Sequence, residues 1–253
     1  IGLVINQVCE RLYVYNISSP NLEILPQLAS DLGIWEINPD GTANYTISLN
    51  SGIFFHDGAP FNATAVKWSF DRLHYFIENG FCPFADLYKY YDIDSSSFKY
   101  ILNRTEVLDE NTVRFILNKP YGQFEGLLTF TGSSILSPLS TPSTEEIDMA
   151  TGDIVGTGPF VYDGYEVGVE ITFHAFEQYW NVKADIEEMV FSVISDPILR
   201  REALLNGDVH FLDGIAPSDI PLFEADPNVV LIDEGKTDFT IKSISINYSI
   251  IIS

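Results

Sequence analysis

Residues 38–73, NPDGTANYTISLNSGIFFHDGAPFNATAVKWSFDRL, set strand, turn, loop and helix signals in an unusual order. Tyr45, Ile47 and Leu49 alternate with Thr46 and Ser48, the two-residue period of a half-buried strand, and Asp40 with Gly41 supplies a turn just before it. A hairpin is expected there. Gly52 breaks the alternation, and His56, Asp57, Gly58, Ala59 and Pro60 read as a loop. Asn62 then stands where a helix N-cap belongs, ahead of Val66, Phe70, Leu73 and Ile77 on one helical face. The unit reads strand, loop, helix, which suits a binding lobe better than a catalytic centre.

Working outward, the chain has 253 residues, 46% hydrophobic and 13% aromatic, enough for one large or two modest packed domains. Its formal charge is −23 and its sequence pI about 4.2. Nucleic acid is excluded as a partner, because such binding draws most of its affinity from Lys and Arg neutralising phosphates. An acidic, solvated exterior is the simpler reading of the charge. No apolar run approaches the roughly 18 residues that a membrane-spanning helix needs. The chain opens at Ile1 without a charged-then-apolar leader, so any signal peptide or anchor would lie upstream. Asn16, Asn44, Asn62, Asn103 and Asn247 each begin an N-x-S/T sequon, which fits an exported protein. Cys9 and Cys82 lie far apart with no CxxC partner; this argues against a cysteine metal site and leaves a disulfide or two thiols open.

Upstream, VINQVCERLYVY places Val4, Val8 and Leu12 at helical spacing and then runs into a strand. Downstream, Val113, Phe115 and Leu117 form a second alternating strand that Pro120 ends. Residues 77–104 show no clear period and read as connecting structure with one short helix. Small, polar and acidic residues at 141–158 mark a subdomain boundary. Beyond it, residues 186–195 read as a buried strand. Asp196 and Pro197 open a helix that Gly207 closes, residues 209–212 form a short strand, Ser218 caps a helix to Ala225, and further strands follow at 229–232 and 237–246. This β-α-β-α-β order predicts an open α/β lobe with partly parallel pairing.

The segment FHDGAPFNATAVKWSFDR resembles the FHDGxPxxAxDVxxSxxR signature of the family 5 extracellular solute-binding proteins of ABC importers, with Thr64 and Ala65 in place of an acidic pair. Other landmarks agree in order: Glu10, Leu12, Pro26, Leu28, Ala29 and Trp35 early, with Arg11 where the family usually has glycine. VGTGPF follows at 155–160, FEQYW at 176–180 and DPILRREALLNGDVHFLDGIAPSDI at 196–220. The resemblance implies a periplasmic-binding-protein-like α/β lobe (type II, class C). Residues 1–31 and 152–253 would form the discontinuous main lobe, and residues 32–151 an inserted β-rich α+β subdomain. It implies one lobe of a longer protein whose ligand lies in a cleft closed by hinge motion.

Catalytic and cofactor readings do not assemble. GTGPF lacks the following helix and further glycines of a phosphate cradle, and Gly235, Lys236 and Thr237 mimic a P-loop whose first glycine is replaced by Val230. The glycines of GTGPF are expected to permit a tight turn. His56 and Asp57 are neighbours whose side chains diverge in an extended segment, so a structural role is expected. Asp71 and His74 share a helix face without further ligands, and Glu145, Glu146, Glu187 and Glu188 read as solvated charges. Trp68 and Trp180 read as core anchors. No GxSxG or HExxH motif occurs. The expectation is therefore a non-enzyme without cofactor or metal, working as the extracellular or periplasmic receptor of an ABC importer. Its solute would be a peptide or other small molecule, oligopeptides first, and its partners the permease and ATPase, with a membrane anchor in the full-length protein. A surface sensor or protein-contact module on the same fold is the alternative. Arg11, Tyr13, Ser133 and Ser134 are the expected ligand-facing residues, from their nearness to the early helix and the loop before the boundary.

Overall fold

The structure, a computed structural model, describes residues 2–148, 154–213, 215–232 and 243–246. Packing divides the chain into two units, residues 1–165 with 172–189 and residues 166–171 with 190–253.

In the first unit, helix α1 (Gly2–Val8) buries Val4 and Val8, the face their spacing predicts. The chain turns into β1 (Tyr13–Tyr15), which pairs antiparallel with β2 (Ile24–Pro26). Strands β3 (Ile34–Ile37) and β4 (Ala43–Ser48) form the expected hairpin. Gly41 closes it at φ 87°, a region open to glycine, while Asp40 Oδ1 accepts from Thr42 N at 3.0 Å. Helix α2 (Ala63–Glu78) begins where Asn62 Oδ1 accepts from Ala65 N at 3.1 Å, and it buries Val66, Phe70 and Ile77. Strands β5 (Lys89–Asp92), β6 (Ser97–Tyr100), β7 (Leu102–Asp109) and β8 (Thr112–Leu117) follow. A four-stranded sheet runs in the order β3-β4-β8-β7, and β5 pairs with β6.

The core of this unit lies where α2 meets the sheet. Tyr45 and Ile47 of β4 join Val113, Phe115 and Leu117 of β8, all fully buried. Phe115 stacks edge-on against Phe70 of α2 at 4.7 Å and against Phe124, in the short helix α3 (Phe124–Leu127), at 5.4 Å. Each such ring pair adds about 0.5–1.5 kcal/mol beyond area burial.

Residues 77–104 hold more order than the expected connection with one short helix: a 3-10 turn at Ala85–Tyr88, the β5–β6 hairpin and the start of β7. The hairpin buries neither face fully, so apolar and polar residues need not alternate. Tyr91 faces Phe98 with rings 5.4 Å apart, and Lys99 pairs with Asp92 at 2.5 Å. In β7, register shifts between Leu102 and Arg104 and between Val107 and Asp109 break the two-residue period.

Strands β9 (Phe160–Glu166), β10 (Glu170–Ala175) and β11 (Glu188–Ser192) form a sheet in the order β11-β10-β9. The segment expected as a buried strand is instead largely exposed, with Ile186, Val190 and Val193 at 41%, 50% and 44%. Helix α4 (Pro197–Asn206) starts and stops as expected, its first amides capped by Asp196 and its end turned by Gly207 at φ 79°. It is followed by β12 (Phe211–Asp213), α5 (Ile220–Ala225), β13 (Val229–Ile232) and β14 (Ser243–Ile246). Ser218 lies inside a 3-10 turn, Pro217–Asp219, rather than capping α5, because that turn carries the chain directly into the helix. The expected parallel pairing is also corrected. β12 and β13 run in the same direction, but β14 lies between them and pairs antiparallel with each. The earlier part of the strand expected at 237–246 lies outside the described residues.

Candidate functional site

Glu10, just beyond α1, is a highly connected polar group among the described residues of the first unit. Its carboxylate is buried, and four side chains donate to it. Oε1 accepts from Tyr179 Oη at 2.8 Å and Gln27 Nε2 at 3.3 Å; Oε2 accepts from Trp180 Nε1 at 2.7 Å and Thr157 Oγ1 at 2.8 Å. Burial pushes the carboxyl above its ordinary pKa, and the four donors pull it part of the way back. Ile135 N donates to the Glu10 carbonyl at 2.9 Å. One residue thus ties together the segments that follow α1 and β2, the GTGPF turn, the FEQYW segment and the turn at 131–135.

The glycines of GTGPF serve close approach rather than a positive φ. A Cβ on Gly156 would sit 2.2 Å from the Val8 carbonyl oxygen, and one on Gly158 would sit 2.6 Å from that of Gln7. Gly158 N donates to Val8 O at 2.9 Å. Beside them Cys9 is buried and its thiol is pushed up to about 12; both Cys9 and Cys82 are free.

The HDG loop docks on the same turn. His56 N donates to Gly156 O at 3.0 Å, and His56 Nε2 lies 2.9 Å from Gly158 O, so the ring carries its proton on Nε2. Burial lowers the His56 pKa and keeps the ring neutral. Asp57 turns away. Its Oδ2 accepts from Ser137 Oγ at 2.5 Å and Ser140 Oγ at 2.6 Å, and its Oδ1 from Ala59 N at 3.0 Å. Although burial opposes it, these donors hold the Asp57 carboxyl below the usual range. The two side chains therefore serve different partners and form no acid–base pair.

The four residues expected to face ligand separate into two kinds. Tyr13 is fully buried, its hydroxyl 3.1 Å from that of Tyr45 and 3.4 Å from Asp31 O. Ser133 is buried too, its Oγ 2.9 Å from Tyr88 Oη and donating to Leu127 O at 2.7 Å. Their polar atoms are committed inside the fold. Arg11 and Ser134 are only partly buried, and Asn6 brings their neighbourhoods together. Its Oδ1 accepts from Arg11 Nη1 at 2.6 Å and from Thr131 Oγ1 at 3.2 Å, while Ser134 Oγ donates to Thr131 O at 2.8 Å. Asn6, Gln27 and Thr131 carry no motif and were missed. Glu10 was legible only as a landmark of the family resemblance, with nothing in its spacing to show its partners.

Residues 23–250 match the family described as bacterial extracellular solute-binding proteins, family 5 Middle. The chain belongs to this family. The dipeptide-binding protein of Escherichia coli K12 is 29% identical over 231 residues, covering 83% of this chain and 40% of that protein. Among solved structures, the periplasmic binding protein AgaA of A. tumefaciens R10, in complex with agropinic acid, is 26% identical with a TM-score of 0.72, over 91% of this chain and 43% of the other. The Helicobacter pylori protein DppA, bound to the peptide STSA, is 28% identical with a TM-score of 0.69, over 90% and 44%. The chain spans about 40% of the length of the curated relatives it matches. Its fold is that of the type II periplasmic binding proteins.

Family 5 proteins bind solutes and are not enzymes, and the remaining acidic pairs read accordingly. Asp71 pairs with Lys67 at 2.6 Å, while His74 lies 3.1 Å from Glu78 and stacks on Tyr100 at 4.9 Å, so the two point to different partners. Glu145, Glu146, Glu187 and Glu188 are exposed. Trp180 packs against the main core and Trp68 is half-buried. Among the described residues no group of three or more His, Cys, Asp or Glu is placed to hold a metal, and no helix is long and apolar enough to cross a membrane.

Proposed function

We propose that this chain forms one wall of the solute site in an extracellular receptor that serves an ABC importer, with peptides as its solute class. The observation that carries the reading is the match of 83% of the chain to a dipeptide-binding protein, supported by likeness to a binding protein holding the peptide STSA. On this reading, residues 32–151 are a β-rich subdomain inserted into a main lobe of residues 1–31 and 152–253. Arg11 and Ser134 face the solute, while Tyr13 and Ser133 hold that wall from within. The receptor acts outside the cell, attached to its membrane, and delivers solute to a permease driven by an ATPase.

A wall alone encloses little ligand. Binding sites of this kind bury most of the ligand surface, and a half-site leaves polar groups hydrated and contacts unmade. The 253-residue chain should therefore bind di- to tetrapeptides more weakly than micromolar, and a full-length receptor containing it should bind them far more tightly. Calorimetric titration of both with a peptide set tests this. A full-length receptor that ignores every peptide while binding a non-peptide solute would remove the peptide reading, and micromolar binding by the chain alone would remove the half-site argument.

A further inference from the structure

We propose that Arg11 and Asn6, the latter held in place by Thr131, form an oxyanion site on the first unit that receives a carboxylate of the solute. The inference rests on the receptor reading and deepens it, naming the solute group that this wall takes.

The Arg11 guanidinium offers five N–H donors, and its only hydrogen-bond acceptor among the described residues is the neutral Asn6 Oδ1. Its Nε is buried without a partner. Most other described cations of this acidic chain have a carboxylate within 4.0 Å: Lys67, Lys89, Lys99, Arg104, Lys183 and Arg201. Glu10, the neighbouring acid, is committed to its own four donors and makes no ion pair with Arg11. Burial lowers the pKa of Arg11, and the nearby Glu10 charge only partly offsets it.

The geometry around the guanidinium favours an anion. Arginine has no acceptor, so the Asn6 amide must turn its oxygen toward Arg11, and Thr131 Oγ1 lies on that same oxygen. Asn6 Nδ2 is then a further donor without a hydrogen-bond acceptor among the described residues. A carboxylate accepts several such bonds at once, and a guanidinium–carboxylate pair is the strong, geometrically specific form of this contact. The formal charge of −23 does not forbid it, because charges beyond about 8 Å are largely screened at physiological salt.

The test is nuclear magnetic resonance on the chain labelled at arginine side chains, titrated with acetate, with Ala-Ala and with Ala-Ala amide. Acetate and Ala-Ala should shift the Arg11 Nε–H signal, and the amide should leave it in place. Arg11→Gln should weaken acetate and Ala-Ala on the order of tenfold to a hundredfold, and Thr131→Val should weaken them less. Ala-Ala and its amide binding alike, with Arg11 unmoved, would overturn the oxyanion site and leave the receptor reading intact. Acetate shifting Arg11 while neither dipeptide binds would uphold the site and count against peptides. If neither acetate nor Ala-Ala moves Arg11 in the wild-type chain, the proposal falls whatever the variants do.

Discussion

The two units differ in how much of their apolar surface they hide. The first completely buries Tyr13, Tyr45, Phe55 and Phe115, among others, in one continuous core. The second has a buried cluster of three residues, Leu204, Leu212 and Phe223, and leaves Val190, Ile198, Leu199, Phe211 and Val230 exposed. At roughly 25 cal/mol per Å² of apolar surface removed from water, burial on the scale of the second unit offsets far less chain entropy. Regular local signals are present in both, since α4 is as well capped as α2. Good capping makes an element; burial decides how firmly it is held.

The sharpest way to break this contrast is a paired truncation. Phe115→Ala should cost about 3–5 kcal/mol in urea unfolding, and Phe223→Ala should release fast amide exchange confined to residues 190–232. If Phe223→Ala loosens the whole chain as much as Phe115→Ala does, the units are not energetically distinct. A somewhat smaller loss, about 3 kcal/mol, is expected for Glu10→Ala, which strands the Trp180, Tyr179, Thr157 and Gln27 donors in a buried site. Glu10→Gln should lose less, because the amide keeps one acceptor. Equal melting of both variants and wild type would show that the hub is dispensable.

The smallest effect belongs to the β5–β6 hairpin, a part of the first unit that resembles the second in its exposure. The Lys99 ammonium and the Ser95 N–H hold the exposed Asp92 carboxyl at about 2, below its ordinary 3.8. A depressed folded pKa stabilises above the unfolded value and is lost as pH falls toward the folded one. Amide protection at residues 89–100, taken relative to the intrinsic exchange rate at each pH, should thus fall between about pH 4 and 2, and less so at high salt. Protection that stays level through that range would remove the ion pair from the hairpin's stability.

What could be read in advance follows the same division between local and distant causes. The β3–β4 turn, the Asn62 cap and the α4 limits depend on residues within a few positions, and the structure has them. The β5–β6 hairpin was missed because its strands are nearly two-sided in exposure, and β7 because two register shifts erase its period. The exposed residues 186–195 looked buried because composition alone cannot say whether a neighbour covers a strand. Arg11 and Ser134 were expected to face ligand from order along the chain, and the structure leaves both partly exposed. The Asn6 bridge to Thr131 spans 125 positions, and no spacing rule reaches that far.

The Glu10 hub also sets a timetable for synthesis. Its partners lie 17, 147, 169 and 170 positions downstream. At about 5–20 residues per second, roughly 10–30 s pass between the translation of Glu10 and that of Trp180. Through that interval the Glu10 carboxylate, just beyond the first helix, and the helix's apolar Val4 and Val8 lack the finished surface that later buries them. For that long the segment that carries Glu10 is without three of the four side chains that later enclose its carboxylate.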